Sequence, residues 1–204
     1  MPELFEFPPT RSNRVKWALE ELGVEYTSRK VDFMKGEQSS EEHKAIHPLG
    51  LVPAYRTDEY TMFESVAIVL QLLDEHPEKG LAPAPGTPQR AEYYQWCVFS
   101  SAELDHNLFD VMKHTMHFPE EKRVKEIAQR GRERFHARAE IISQTLEKRD
   151  YLLGSNFSGA DICMGYSCDW AAYTGMLKNH PVLSGYYAKL QRREAFKKVF
   201  PKRD

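Results

Sequence analysis

The period of the apolar positions changes several times over the first eighty residues, and each change marks an element. Residues 2–7 alternate weakly around Leu4, Phe5 and Phe7 and predict a strand, which Pro8-Pro9 ends. Val15, Ala18, Leu19 and Leu22 then recur at helical spacing, with Gly23 standing where a left-handed C-terminal cap belongs. A second strand is expected over 25–32 and a short polar helix over 39–47, stopped by Pro48. A strand pair at 53–56 and 60–63 flanks the polar turn Thr57-Asp58-Glu59, and Val66, Val69, Leu70 and Leu73 line one face of a closing helix. The order β-α-β-α-β-β-α is that of a thioredoxin-like domain, whose parallel strands need a right-handed crossover.

Between His76 and Gln89 the pattern breaks down. Pro77, Gly80, Pro83, Pro85, Gly86 and Pro88 fall within this stretch, which reads as a linker. Beyond it the spacing is helical throughout, over about 89–116, 120–148, 159–176, 181–190 and 194–199. Ser158-Gly159-Ala160-Asp161 has the spacing of a capping box, with Phe157 and Ile162 placed as its hydrophobic staple. The expected fold is therefore an α+β thioredoxin-like domain over 1–80, followed by an all-α domain over 88–204.

With 41% hydrophobic and 28% charged residues, the 204-residue chain has the composition of a soluble globular protein. A net charge of −2 and the lack of a long basic run argue against nucleic acid as partner. No apolar stretch reaches the roughly 20 residues a membrane span needs, and Glu3 and Glu6 stand where a signal peptide wants positive charge. A cytoplasmic location is expected. Residues 1–80 carry nine basic and fifteen acidic side chains, a net −6, which leaves +4 for the remainder. Cys97, Cys163 and Cys168 are odd in number and lack metal-ligand spacing, so they read as small buried hydrophobes. No metal is expected.

The candidate chemistry gathers at two helix starts. Leu51-Val52-Pro53-Ala54-Tyr55 opens a strand on a proline, whose preceding peptide is cheap to make cis. Glu64-Ser65 then stands where the closing helix begins. There the backbone N–H groups and the dipole favour a carboxylate, and Glu64 is placed to hold an ammonium. An amino-acid head group would fit at Glu64-Ser65, with Val52 free to pair with an extended peptide. That combination suits glutathione.

Val52-Pro53 and Glu64-Ser65 resemble the glutathione-site signatures of the soluble glutathione S-transferases. The segments Thr10–Gly23, Lys44–Gly50 and Tyr151–Ile162 are similar to that family too, and the likeness runs from about residue 3 to about residue 198. It is nearest to a serine-type branch with bacterial and fungal members. The resemblance implies a homodimeric enzyme that uses glutathione as co-substrate against small hydrophobic electrophiles. Glu64 and Ser65 would hold the γ-glutamyl end, and Val52, positioned by Pro53, would pair with the cysteinyl unit. His47, near Lys44, would substitute for a lysine that many relatives carry where this chain has Leu51. The thiolate needs a stabilising donor, and both Thr10 and Ser12 lie at the start of the first helix, where each is alternatively a helix cap. One alignment puts the catalytic position on Pro9, which donates nothing. Arg11 and Arg14 read as solvated surface charges, with positive charge near the sulfur as the alternative role for either. The electrophile is expected against the helix that carries Phe99, Glu103, His106, Asn107, Asp110 and His114, with Phe99, Met112 and Met116 read as core rather than as a substrate cradle. A glutathione-dependent peroxidase or disulfide reductase, and a non-catalytic binding module, are the alternative functions.

Overall fold

The structure, a computed structural model, describes residues 1–200. Its sheet follows the predicted order. Strand β1 (Glu3–Glu6) leads through helix α1 (Ser12–Leu22) to β2 (Thr27–Lys30), which pairs parallel to it with Leu4 opposite Ser28. Helix α2 (Glu41–Ile46) precedes β3 (Ala54–Arg56) and β4 (Thr61–Phe63), both antiparallel to their neighbours, and α3 (Ser65–Glu75) closes the motif. The strand order is β2-β1-β3-β4. This is the thioredoxin-like arrangement. Val15, Ala18, Leu19 and Leu22 are buried as the spacing of α1 predicts. In α3, however, the buried positions are Ile68, Val69, Leu72 and Leu73, while Val66 and Leu70 are half-buried, and in β1 Leu4 is buried while Phe7 is exposed.

Two compact units divide the chain. One comprises residues 1–82 and the segment from Arg193; the other runs from Pro83 to Arg192. The sequence placed everything after residue 88 in the second domain, and the structure differs at that end. Helix α9 (Glu194–Val199) packs on α1, where the Trp17 ring meets Phe196 and Phe200 edge-on at 5.0 and 5.8 Å. Glu21 accepts two hydrogen bonds from Arg193, at 2.6 and 2.7 Å, and one from the Trp17 indole at 2.9 Å. Periodicity identifies α9 as a helix but carries no information on which unit its apolar face covers.

The second unit is all helix apart from an isolated bridge between Tyr151 and Gly154. Helix α4 (Pro88–Phe99) continues without a break through a wide π-type stretch at Ser100–Asp105, helix α5 (His106–Met112) and a second π-type stretch at Lys113–His117. Helices α6 (Lys125–Leu146), α7 (Gly159–Tyr173) and α8 (Pro181–Leu190) complete it. Helix α7 is buried on almost every face, and it starts at the capping box the sequence shows. Asp161, wholly buried, accepts from Leu152 N and Tyr186 OH through one oxygen and from Ser158 N and Oγ through the other, at 2.8–3.0 Å. Burial raises its carboxyl pKa, and these four donors oppose that rise. All three cysteines are buried, as small hydrophobes would be.

Candidate active site

Helix α1 begins on a pair of hydroxyls. Thr10 Oγ1 and Ser12 Oγ lie 2.9 Å apart, and Thr10 Oγ1 accepts the Ser12 N–H at 3.3 Å. Ser12 is wholly buried and its Oγ also accepts the Phe7 N–H at 3.4 Å, which ties the end of β1 to the helix start. Thr10 is half-buried, so it is the member of the pair that a ligand can reach. Neither is an ordinary cap: the N-cap position falls on Arg11, which makes no side-chain capping bond. The first N–H groups of α1 are taken up locally, Ser12 N by Thr10 Oγ1, Asn13 N by the Thr10 carbonyl at 3.0 Å and Arg14 N by the Arg11 carbonyl at 3.2 Å, so this end offers a ligand the helix dipole and the Thr10 hydroxyl.

Arg14 was read as a surface charge, and the structure overturns this. It is completely buried, and its Nη1 donates to Ser65 Oγ at 2.8 Å. That bond joins residues 51 apart in sequence and brings the start of α1 beside the start of α3. Arg14 lies in the first turn of α1, which begins at Ser12, two residues after Thr10. Ser65 Oγ accepts from the guanidinium, and among the described residues no acceptor takes its own hydrogen, which is left for a ligand oxygen. Glu64, just before it, is exposed with φ of +71°, a conformation that non-glycine residues adopt at some cost and that concentrates at ligand sites. The N–H groups of Ser65, Val66 and Ala67 have no partner within the helix, as at any helix start.

The Val52–Pro53 peptide is cis, the isomer the sequence permits, and Pro8–Pro9 is cis as well. Val52 is half-buried and Pro53 buried. Gly50, with φ of +61°, makes the approach to this bend; a Cβ there would lie 2.5 Å from the Gln38 carbonyl oxygen. His47 is buried, its ring 5.0 Å from that of Phe63. Its Nδ1 lacks a hydrogen-bond partner among the described residues. Burial, with His43 beside it, holds the His47 imidazole below its ordinary pKa. Leu51 and Leu49 are exposed, and Lys44 is solvated.

Two family profiles match the chain: "Glutathione S-transferase, N-terminal domain" over residues 3–74 and "Glutathione S-transferase, C-terminal domain" over residues 108–194. The chain belongs to the glutathione S-transferase family. Among its relatives, Glutathione S-transferase F10 of Arabidopsis thaliana is 29% identical over 202 residues, covering 94% of this chain and 92% of the relative. Glutathione S-transferase A of Pleuronectes platessa is 26% identical over 193 residues, covering 92% and 85%. The solved ternary complex of BphK, a bacterial glutathione S-transferase, superimposes with a TM-score of 0.87 at 29% identity, covering 97% of this chain and 96% of that one. The glutathione transferase URE2P8 of Phanerochaete chrysosporium shares the fold, with a TM-score of 0.89 at 23% identity over 97% and 92% of the two chains.

For this family member the expected electrophile-side residues lie on one continuous helical run of the second unit. Glu103 and His106 flank the junction of the first π-type stretch with α5, where Glu103 accepts from Arg138 Nε at 2.9 Å. π-type stretches are rare and recur at functional positions. Asp110 pairs with Lys113 at 3.3 Å, and His114 Nδ1 accepts the Val124 N–H at 3.0 Å. Asn107 is buried, Phe99 and Met112 are half-buried, and Met116 is 49% exposed, so Met116 is not the core residue it was taken for. Among the described residues, no group of three or more His, Cys, Asp or Glu side chains is arranged to hold a metal. Clefts of about 430 and 620 Å³ line the C-terminal half of α1 and include none of the candidate residues.

Proposed function

We propose that the chain binds glutathione across the starts of α1 and α3 and activates its thiol for attack on small hydrophobic electrophiles. The observation that carries this reading is the Arg14–Ser65 bond, which sets the Thr10–Ser12 hydroxyls and the Glu64–Ser65 helix start side by side. In this reading Ser65, polarised by the guanidinium, donates to the γ-glutamyl carboxylate while the free N–H groups of α3 add to the same charge. Glu64 receives the ammonium, and the Val52 backbone pairs with the cysteinyl unit behind Pro53. Thr10 donates to the sulfur. A thiol of ordinary pKa, about 8.5, is mostly protonated at neutral pH. A donor and a helix N-terminus aimed at the sulfur stabilise the anion that reacts. The proton goes to solvent, and the thiolate displaces a leaving group or adds to the electrophile.

Ser12 is withdrawn from the ligand and acts in this scheme behind Thr10. His47, with its buried and unpartnered nitrogen, supports the wall against Phe63. In this reading the protein works in the cytoplasm as a homodimer, as the family resemblance implies. Sedimentation at the monomer mass in dilute solution would remove the dimer. The activity itself is tested by turnover, measured side by side, with a chloro-nitrobenzene, a hydroperoxide and a glutathione mixed disulfide. Conjugation of the chloro-nitrobenzene is the result expected. Turnover of the hydroperoxide or the disulfide alone would move the site to peroxidase or reductase chemistry, and turnover of none to a binding role.

A further inference from the structure

Helix α2 places His43 under the segment that leads into β3. The side chain is almost fully buried, and its Nε2 lies 2.8 Å from the carbonyl oxygen of Leu51. A carbonyl only accepts, so Nε2 carries the hydrogen. The rest of the residue is held as well: its N–H donates to the capping Ser40 Oγ at 3.1 Å, and its carbonyl accepts from His47 N at 2.8 Å. Its ring sits between Phe5, at 6.2 Å, and His47, at 6.4 Å with 17° between the planes.

Leu51 C=O and Val52 N–H are the two ends of a single planar unit. Among the described residues the cis bonds precede Pro9 and Pro53, so the Leu51–Val52 peptide is trans, and its carbonyl and N–H point in opposite directions. Holding the carbonyl toward α2 therefore aims the Val52 N–H away from α2. That N–H has no protein acceptor among the described residues, although Val52 is half-buried. The Gly50 turn, closed by Gly50 N donating to His47 O at 2.8 Å, fixes the other end of the segment.

We propose that His43 is a positioning residue for glutathione: through Nε2–H it locks the Leu51–Val52 peptide so that the Val52 N–H faces the cysteinyl unit of the ligand. This rests on the reading that places the cysteinyl unit against Val52. His43 itself touches neither ligand nor reacting atoms, so its loss acts on binding and leaves the chemical step alone.

The test compares wild type with His43→Phe, which keeps a ring and removes the donor, and with His43→Gln, whose amide N–H reaches a similar distance. His43→Leu serves as a second apolar replacement should His43→Phe not fold. A lost hydrogen bond predicts a KM for glutathione raised about three- to ten-fold with kcat within about two-fold in the apolar variant, and recovery in His43→Gln. An unchanged KM in the apolar variants, or a fall in kcat at constant KM, overturns the proposal. The Val52 amide resonance in ¹⁵N spectra separates this proposal from the reading beneath it, with S-methylglutathione as the probe. If the probe leaves that resonance unmoved in wild type, the placement of the cysteinyl unit fails and this proposal falls with it. If it moves the resonance equally in wild type and in the apolar variant, His43 alone loses its role.

Discussion

Replacing Thr10 by alanine removes one hydroxyl, and the geometry sets what that should cost. Thr10 Oγ1 already accepts the Ser12 N–H, and Ser12 Oγ, which accepts from Phe7 N, stands 2.9 Å away. The 2.9 Å contact fits either direction, since Ser12 Oγ has lone pairs for both Phe7 N and Thr10, and it is with Ser12 donating to Thr10 Oγ1 that the Thr10 hydrogen is free for the sulfur. A hydrogen bond to a charged group is worth about 1.5–3 kcal/mol. The bond strengthens only as the sulfur becomes anionic, so its loss falls on the thiolate and not on ground-state binding. Thr10→Ala should therefore raise the pKa of bound glutathione by about one to two units and lower kcat at neutral pH, with affinity nearly intact. In Ser12→Ala the donor to sulfur survives but loses its polarising neighbour, a cooperative effect of about 10–30% of one bond, so the pKa should rise by well under one unit. That variant should instead lose stability, since the Phe7 N–H at the end of β1 is left without its acceptor and the wholly buried Ser12 site is emptied. The assay is the ultraviolet absorbance of bound thiolate titrated against pH in wild type and both variants. A larger rise in Ser12→Ala would transfer the role to Ser12. No rise in either would leave the α1 dipole as the sole activator and refute the hydroxyl argument.

Two further outcomes concern stability. Asp161→Ala orphans four buried donors, so a loss of about 3–5 kcal/mol is expected, of the size found when one member of a buried charged network is removed. At about 2–4 °C per kcal/mol for a chain of this size, the melting temperature should fall by roughly 6–20 °C; a fall of a degree or two would show that the network carries little. The second outcome is a pH dependence. His47 and His180 are held below their ordinary pKa, His180 by burial and by His136, whose Nδ1 lies 2.8 Å from its Nε2. The unfolded chain thus binds more protons than the folded one below about pH 6.5, so this stabilisation is present above that pH and is lost as pH falls through the folded values. Thermal melts at pH 7.5 and 5.5 should show the loss, and His180→Gln should shrink it; an unchanged difference in that variant would remove His180 from the account.

Much of the fold was legible because its elements carry clear periods. Val15, Ala18, Leu19 and Leu22 marked α1, and Ser158 with Asp161 marked the start of α7 through a local hydrogen-bond pattern that sequence spacing encodes. What the sequence hid was long-range. Arg14 lies on a short helix whose Trp17 and Asn13 are buried too, so polarity is a poor guide there, and nothing local signals a partner at Ser65. The return of Phe196 and Phe200 to Trp17 is equally non-local. At the candidate site, residue types at helix starts were readable, but their exposure was not. Thr10 and Ser12 look equivalent in sequence, and only packing separates the half-buried hydroxyl from the fully buried one.

The central claim is that glutathione binds where α1 and α3 begin. Calorimetric titration of glutathione into wild type and Ser65→Ala tests it most directly. In the proposed reading Ser65 gives one hydrogen bond to a charged carboxylate, so its loss should weaken binding by about 1–3 kcal/mol, roughly five- to 160-fold in Kd, and should also lower the melting temperature, since the buried Arg14 loses the Ser65 acceptor. Equal affinity in the two proteins would contradict the claim and place the γ-glutamyl group elsewhere.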